Sequence, residues 1–200
     1  MTTLLIKTKL NPITVQLSDS QQMTKEQFYH FCQINRDLHI ERTASGEVII
    51  MSPAFSDTGN RNFNLAVQLG IWAEQDGSGI GFDSSAGFTL PNGATRSPDV
   101  SWVKLERWNA LSLEEQNSFA PLCPDFVVEL RSASDSLQSL QEKMQEYIAN
   151  GALLGWLIDR KNCKVHIYRP DVPVEILENP DLISGDPLLP GFALEMGKVW

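Results

Sequence analysis

Pro124-Asp125-Phe126-Val127-Val128-Glu129-Leu130-Arg131-Ser132, followed closely by a helical pattern over residues 136–150, is the stretch on which the fold turns. Residues 126–130 are an apolar run that holds a single acid, Glu129. The β-branched pair Val127 and Val128 beside Phe126 favours a strand, and an unbroken apolar run suits one covered on both faces. Alternation puts Asp125, Val127, Glu129 and Arg131 on one face and Phe126, Val128 and Leu130 on the other. A carboxylate on a covered strand needs a partner, because desolvating the charge costs several kcal/mol. Either Glu129 pairs with Arg131 or sits at the sheet rim, or it ligates a metal ion at the strand end.

The remainder of the chain supplies layers around this strand. Thr24 reads as an N-cap with Gln27 in capping-box position and Met23 and Phe28 as a staple, predicting a helix with Phe28, Phe31, Cys32 and Ile34 on its apolar side. Residues 40–43 and 47–51, separated by Ala44-Ser45-Gly46, read as a hairpin with Glu47 leading its second strand. A largely buried helix is expected over residues 60–76, with a stripe of Phe63, Ala66, Val67, Gly70 and Ile71, widened by Leu65, Leu69 and Trp72, and a C-cap at Gly77. Short strands follow at 79–83 and 87–90, then an Asn92-Gly93 turn and the stretch 96–103, in which Asp99 opens a strand directly after Pro98.

A helical connection over 104–119, with a helix start at Ser112-Leu113-Glu114-Glu115, returns the chain to the opening stretch. The helix over 136–150 has Ser134 and Asp135 as caps and an apolar stripe of Leu137, Leu140, Met144, Tyr147 and Ile148. At about 100° per residue Glu142 and Glu146 fall on the solvated side. Lys143 falls at the stripe's edge, where its head either bends toward the sheet end or snorkels to water. Strands at 153–158 and 163–168 follow, residues 172–177 extend the sheet edge, and 178–200 form a proline-punctuated tail. The order predicts a single α/β domain over residues 21–200: a central mixed β-sheet flanked by helices, with an N-terminal helix and hairpin and a C-terminal β extension. Residues 1–20 read as an arm or edge strand.

Composition narrows the chemistry. The chain has 200 residues, 42% of them hydrophobic and 20% charged, as in a globular protein. It lacks the apolar run of about 20 residues that a membrane span needs, and its N-terminus lacks a secretion-signal pattern, so a cytoplasmic protein with no membrane partner is expected. Cys32, Cys123 and Cys163 are odd in number and widely spaced, and His30, His39 and His166 show no ligand spacing. Any metal ion is therefore expected to be a hard, oxygen-ligated cation, Mg2+ or Mn2+. The net charge of −9 runs against a broad nucleic-acid footprint; local basic clusters are Lys104 with Arg107, and Arg160, Lys161, Lys164 and Arg169.

Asp99 and Glu129 are two carboxylates that adjacent strands would bring together. Like charges at such range force one to protonate unless a cation lies between them. A divalent ion held by Asp99, Glu129 and the backbone carbonyl of Leu130 would polarise a phosphoryl oxygen and activate water. Lys143 would orient that water or stabilise charge on the phosphate.

Proline-aspartate, an acid on the next strand and then a lysine resembles the PD-(D/E)XK pattern of restriction-endonuclease-like nucleases. The wording is closer still to the Uma-type family, regarded as endonucleases. The matching segments are Gly46-Glu47-Val48-Ile49-Ile50-Met51-Ser52-Pro53, Arg96-Ser97-Pro98-Asp99-Val100, Pro124-Asp125-Phe126-Val127-Val128-Glu129, Glu142-Lys143-Met144-Gln145-Glu146-Tyr147 with Asn150-Gly151, and Gly155-Trp156-Leu157-Ile158-Asp159. The resemblance covers about residues 20–200. It implies a restriction-endonuclease-like fold, Mg2+ or Mn2+ as cofactor, DNA as partner and substrate, and phosphodiester hydrolysis with Asp99, Glu129 and Lys143 as catalytic residues. Glu47 and Arg131 are secondary candidates. Arg131 stands where the pattern has its lysine, and an arginine stays protonated and cannot act as a base. In relatives of this type the lysine comes from the following helix, which Lys143 matches, and Arg131 then becomes a phosphate ligand. Cutting both strands implies two sites and hence a homodimer.

Two other classes stand beside this one. A non-catalytic interaction module on the same fold fits the acidic charge and Arg131. A two-carboxylate glycosidase requires an open aromatic cleft, for which Trp72, Trp102 and Trp108 are the candidates.

Overall fold

The computed structural model describes residues 13–15 and 23–200. An edge strand β1 (Ile13–Val15) and helix α1 (Lys25–Ile34) precede the hairpin β2 (His39–Arg42) and β3 (Val48–Met51), which leads into α2 (Ser56–Asp76). Strands β4 (Gly79–Asp83), β5 (Phe88–Thr89), β6 (Thr95–Arg96) and β7 (Val100–Lys104) then give way to two short helices, α3 (Leu105–Asn109) and α4 (Leu113–Gln116). The acid-bearing strand β8 (Phe126–Leu130) follows, then α5 (Leu137–Ala149), β9 (Leu154–Asp159), β10 (Lys164–Tyr168) and β11 (Glu175–Glu178). The chain closes with β12 (Leu182–Ser184), β13 (Ala193–Glu195) and a 3-10 turn at Met196–Lys198.

The larger sheet has the order β11-β10-β9-β8-β7-β4. β8 and β9 run parallel and the other neighbours antiparallel, so the sheet is mixed as expected. A parallel pair cannot be joined by a tight turn, and α5 makes the crossover. β8 is buried at every residue. Phe126, Val128 and Leu130 pack with Leu65, Leu69 and Ala73 of α2 and with the terminal residues Leu189, Phe192 and Leu194. Val127 packs the other way, with Met144 and Tyr147 of α5. The alternation read from the sequence is the one the fold uses.

The smaller sheet, β1-β3-β2-β6-β5, is antiparallel. Its β2–β3 hairpin packs under α1, whose Phe28 is buried with Ile40 and Val48. Thr24 caps α1 in a reciprocal box with Gln27. The expected arm falls mostly outside the described residues; Ile13–Val15 within it is an edge strand paired with β3.

Several expectations are corrected. The strand expected to open at Asp99 opens one residue later, at Val100; the chain leaves the smaller sheet after β6 and crosses to the larger one at Ser97-Pro98-Asp99, where Pro98 has no N–H for a ladder. α2 begins four residues before residue 60, at Ser56; no side-chain cap hydrogen bond marks that start, while Asp57 and Arg61 pair across its first turn. The face of α2 on the core is Leu65, Leu69 and Ala73, with Ala66 and Trp72 beside them. Phe63, Val67 and Ile71, expected inside, are exposed. Both sets recur at helical spacing, so periodicity could not choose between them. Ile34 is likewise exposed. α5 is capped by Ser136 rather than Ser134 or Asp135, and the Asp135 carboxylate instead accepts from the Ser132 N–H.

Candidate active site

The antiparallel register of β7 and β8 ends at Val100↔Val128. One step further, Asp99 comes opposite Glu129 and Pro98 opposite Leu130. The ladder stops there, and the Leu130 N–H, which a partner strand's carbonyl would otherwise accept, is taken by the Asp99 side chain, whose Oδ2 accepts from it at 2.7 Å. Oδ1 accepts from Asn62 Nδ2 of α2 at 2.8 Å. The Leu130 carbonyl points to the same edge as its N–H, where Pro98 cannot satisfy it. This edge thus gathers two carboxylates and a carbonyl from a local consequence of one proline.

Lys143 comes to the same place from α5. Its side chain, only 12% exposed, puts Nζ 2.8 Å from Glu129 Oε1 and 2.8 Å from Glu41 Oε1. The Tyr147 hydroxyl, one helical turn on, donates to Glu129 Oε1 at 3.0 Å. Glu41 belongs to β2 of the smaller sheet and was not anticipated. The β2–β6 pair Arg42↔Thr95 sets its register, which brings Arg96 opposite Glu41; Arg96 Nη1 lies 3.1 Å from Glu41 Oε2 and the Ser97 N–H donates to Oε1 at 3.0 Å. Arg96 Nε reaches Glu146 of α5 at 2.6 Å. Glu146, expected on the solvated side, is therefore part of this network.

Four carboxylates (Glu41, Asp99, Glu129 and Glu146) here face two cations, Lys143 and Arg96. The protonation equilibria register the imbalance. Burial pushes Glu129 up to about 7, helped by the charges of Asp99 and Glu41 and opposed by Lys143. Burial also raises Asp99, against the Leu130 N–H, Lys143 and Asn62. Burial alone would raise Glu41, yet Lys143 and Arg96 together hold it below the usual carboxylate range. Burial would lower Lys143, and Glu129 and Glu41 override it, so the ammonium is held charged.

Among the described residues no three His, Cys, Asp or Glu side chains are grouped to hold a metal ion unaided. Magnesium demands less: it keeps several waters and is held by one or two carboxylates with substrate oxygens. Asp99, Glu129 and the Leu130 carbonyl are a donor set of that kind, and the surplus negative charge favours a cation there.

The secondary candidates lie elsewhere. Arg131 points to Asp159, with Nη1 3.0 Å from Oδ1, and its Nε donates to the Asp135 carbonyl. Glu47 sits in the hairpin turn rather than in the strand, its N–H donating to the Thr43 hydroxyl. The acid this hairpin sends into the cluster is Glu41. Asn62 and Glu41 carry no local signal of their own, and Arg96 and Tyr147, though within the matching segments, are not singled out there; the fold is what brings all four next to Asp99, Glu129 and Lys143. The tryptophans do not form an open aromatic cleft: Trp102 is buried, Trp72 packs against it and Phe192, and Trp108 packs against Phe82.

A family model, Uma2, described as "Putative restriction endonuclease", matches residues 25–197. No curated protein matches the chain in sequence. Among solved structures, the chain is similar to one described as a putative nuclease belonging to DUF820 from Anabaena variabilis ATCC 29413. That match has a TM-score of 0.68 and 18% identity over 80% of this chain and 88% of that one. At that identity the likeness speaks for the fold, which is restriction-endonuclease-like.

Proposed function

The chain belongs to the Uma2 family, and from that membership we propose that it is a metal-dependent endonuclease that hydrolyses DNA phosphodiester bonds through Asp99, Glu129 and Lys143. The supporting observation is the meeting of Asp99, Glu129 and the Leu130 edge with a charged Lys143 delivered by α5.

Asp99, Glu129 and the Leu130 carbonyl would hold Mg2+ or Mn2+. A bound ion of this kind supplies Lewis-acid polarisation of a phosphoryl oxygen and lowers the pKa of water. Asn62 and Tyr147 orient the two carboxylates through their hydrogen bonds to Asp99 and Glu129. Lys143, held as an ammonium, cannot take a proton. It donates hydrogen bonds, placing the attacking water and stabilising charge on the phosphate. Glu41 is a positioning residue: fixed by Arg96 and the Ser97 N–H, it holds Lys143 Nζ over Glu129.

One observation favours a second reading, a non-catalytic module that binds nucleic acid or protein. Lys143 is already engaged by two carboxylates, and Arg131, where the motif lysine belongs, is engaged by Asp159. Nicking of supercoiled plasmid over Mg2+ and Mn2+ series, beside Asp99→Asn and Lys143→Met, separates the two. Metal-dependent nicking that both substitutions abolish supports the nuclease. Equal behaviour of all three proteins across the series leaves the binding module.

One site per chain cuts one strand, so we expect two copies to act together. The apolar face of α2 that the core leaves bare (Phe63, Val67 and Ile71) is where a second copy would pack, with both α2 helices buried by the same stripe.

A further inference from the structure

Beside the acid cluster, on the α2 side of the sheet, two arginines converge on one carboxylate. Arg61 Nη2 lies 3.0 Å from Asp57 Oδ1 and its Nε 3.1 Å from Oδ2, a two-pronged grip. Arg160 Nη2, from the turn after β9, reaches Asp57 Oδ2 at 2.6 Å. Both arginine side chains are 21% exposed while that of Asp57 is 61% exposed, so the acid is the outermost member. Arg160 Nε is shielded from solvent and has no hydrogen-bond partner among the described residues.

The position matters as much as the geometry. Arg61 immediately precedes Asn62, which holds Asp99. Arg160 immediately follows β9, whose Ile158 is in register with Leu130. The pair therefore lies at the same sheet end as Asp99 and Glu129, on the opposite face from Lys143. Of the basic run noted from the sequence, Lys164 is taken by Glu178 and Arg169 by Glu175, while Arg160 turns back toward α2.

We infer that Arg61 and Arg160 form the phosphate-binding pair for the DNA backbone beside the scissile position, with the Asp57 carboxylate standing where a phosphate binds. The inference rests on the nuclease reading, since it supplies that reading's substrate contact. Planar guanidinium forks match the oxygens of a phosphate as they match a carboxylate. Asp57 is the exposed member of the trio, so an incoming phosphate reaches the same guanidinium donors from solvent and takes over their hydrogen bonds as it displaces the carboxylate. With a net charge of −9 the molecule as a whole repels DNA, and attraction must come from local contacts of this kind.

The experiment is fluorescence anisotropy of a short labelled duplex over a salt series in Mg2+, using the full chain with Asp99→Asn so that the duplex persists. Arg61→Gln and Arg160→Gln are each expected to weaken binding about tenfold and to lower the log–log salt slope by about one. Asp57→Asn, at an exposed position, is expected to tighten binding and steepen the slope, which a mere surface staple would not do. Arg61→Lys, which keeps the charge and loses the fork, should fall between. If the arginine variants bind like their parent, or Asp57→Asn weakens binding, the inference fails while the nuclease reading stands. If the parent chain does not bind the duplex at all, both fall.

Discussion

At the scale of single residues, the arrangement around Lys143 makes burial and charge inseparable. Glu129, with a folded pKa of about 7 against an ordinary glutamate value, favours folding fully at low pH and loses that contribution as the pH rises through 7. Thermal unfolding of wild type and Glu129→Gln should therefore diverge with pH: the variant gains relative to wild type between about pH 5 and pH 8. Added Mg2+ should raise the wild-type Tm more at pH 8 than at pH 5, because the ion competes with protons for the same carboxylates. An equal shift at both values would count against a metal at Glu129. Arg131 has a different character. Its partner Asp159 has a side chain 1% exposed and keeps the Asn162 Nδ2 hydrogen bond when Arg131 is removed, so Arg131→Met takes away one charged partner and should cost about 2–3 kcal/mol, roughly 5–10 °C in Tm for a chain of this size. The surviving folded protein should nick plasmid as before when assayed well below that Tm. Lost nicking in a folded variant would return Arg131 to the role of phosphate ligand.

At the scale of elements, α2 is a helix with two apolar faces, one committed to the sheet through Leu65, Leu69 and Ala73 and one bare. Replacing Phe63 and Ile71 together by serine removes no core contact, and stability should change by no more than about 1 kcal/mol, as for exposed helix positions. Sedimentation of wild type at micromolar concentration should show a dimer and the double variant a monomer; a monomeric wild type, with and without duplex DNA, would exclude the α2 pairing. α5 shows the converse economy. Its Met144 and Tyr147 fill the core while Lys143, immediately before Met144 in sequence, is swung to the sheet end. The side chain bends to the sheet end, one of the two courses open to it at the stripe's edge, and of the two carboxylates it meets there the sequence pointed to Glu129 but not to Glu41.

At the scale of the molecule, the terminal tail is structural. Leu189, Phe192, Leu194, Met196 and Val199 are buried in the same core as β8, and Trp156 stacks on Phe192 with ring centroids 5.9 Å apart. Removing residues 180–200 exposes that face of the central sheet, and circular dichroism on heating should then show no cooperative transition. Retention of one would mean that α2 alone covers the sheet. The two sheets are joined at Ser97-Pro98-Asp99, and the candidate site is assembled at that junction: Glu41 and Arg96 from the smaller sheet, Asp99 and Glu129 from the larger, Lys143 from the crossover helix.

What the sequence determined by itself is whatever depends on neighbours in the chain. The buried strand at Phe126–Leu130, the capped helix at Lys25–Ile34, the α5 stripe and the extended Pro98-Asp99 step all follow from side-chain spacing and backbone chemistry. Asp99, Glu129 and Lys143 were legible as candidates for that reason, each being an anomaly within its own element. The tertiary structure alone decided which of α2's two equivalent stripes faces inward, since both have the same period and only the sheet chooses. It alone brought Glu41 to Lys143, residues separated by 102 positions, and Arg61 to Arg160 across Asp57. Such meetings are set by sheet register and helix docking, and no local propensity carries information about a partner that far away.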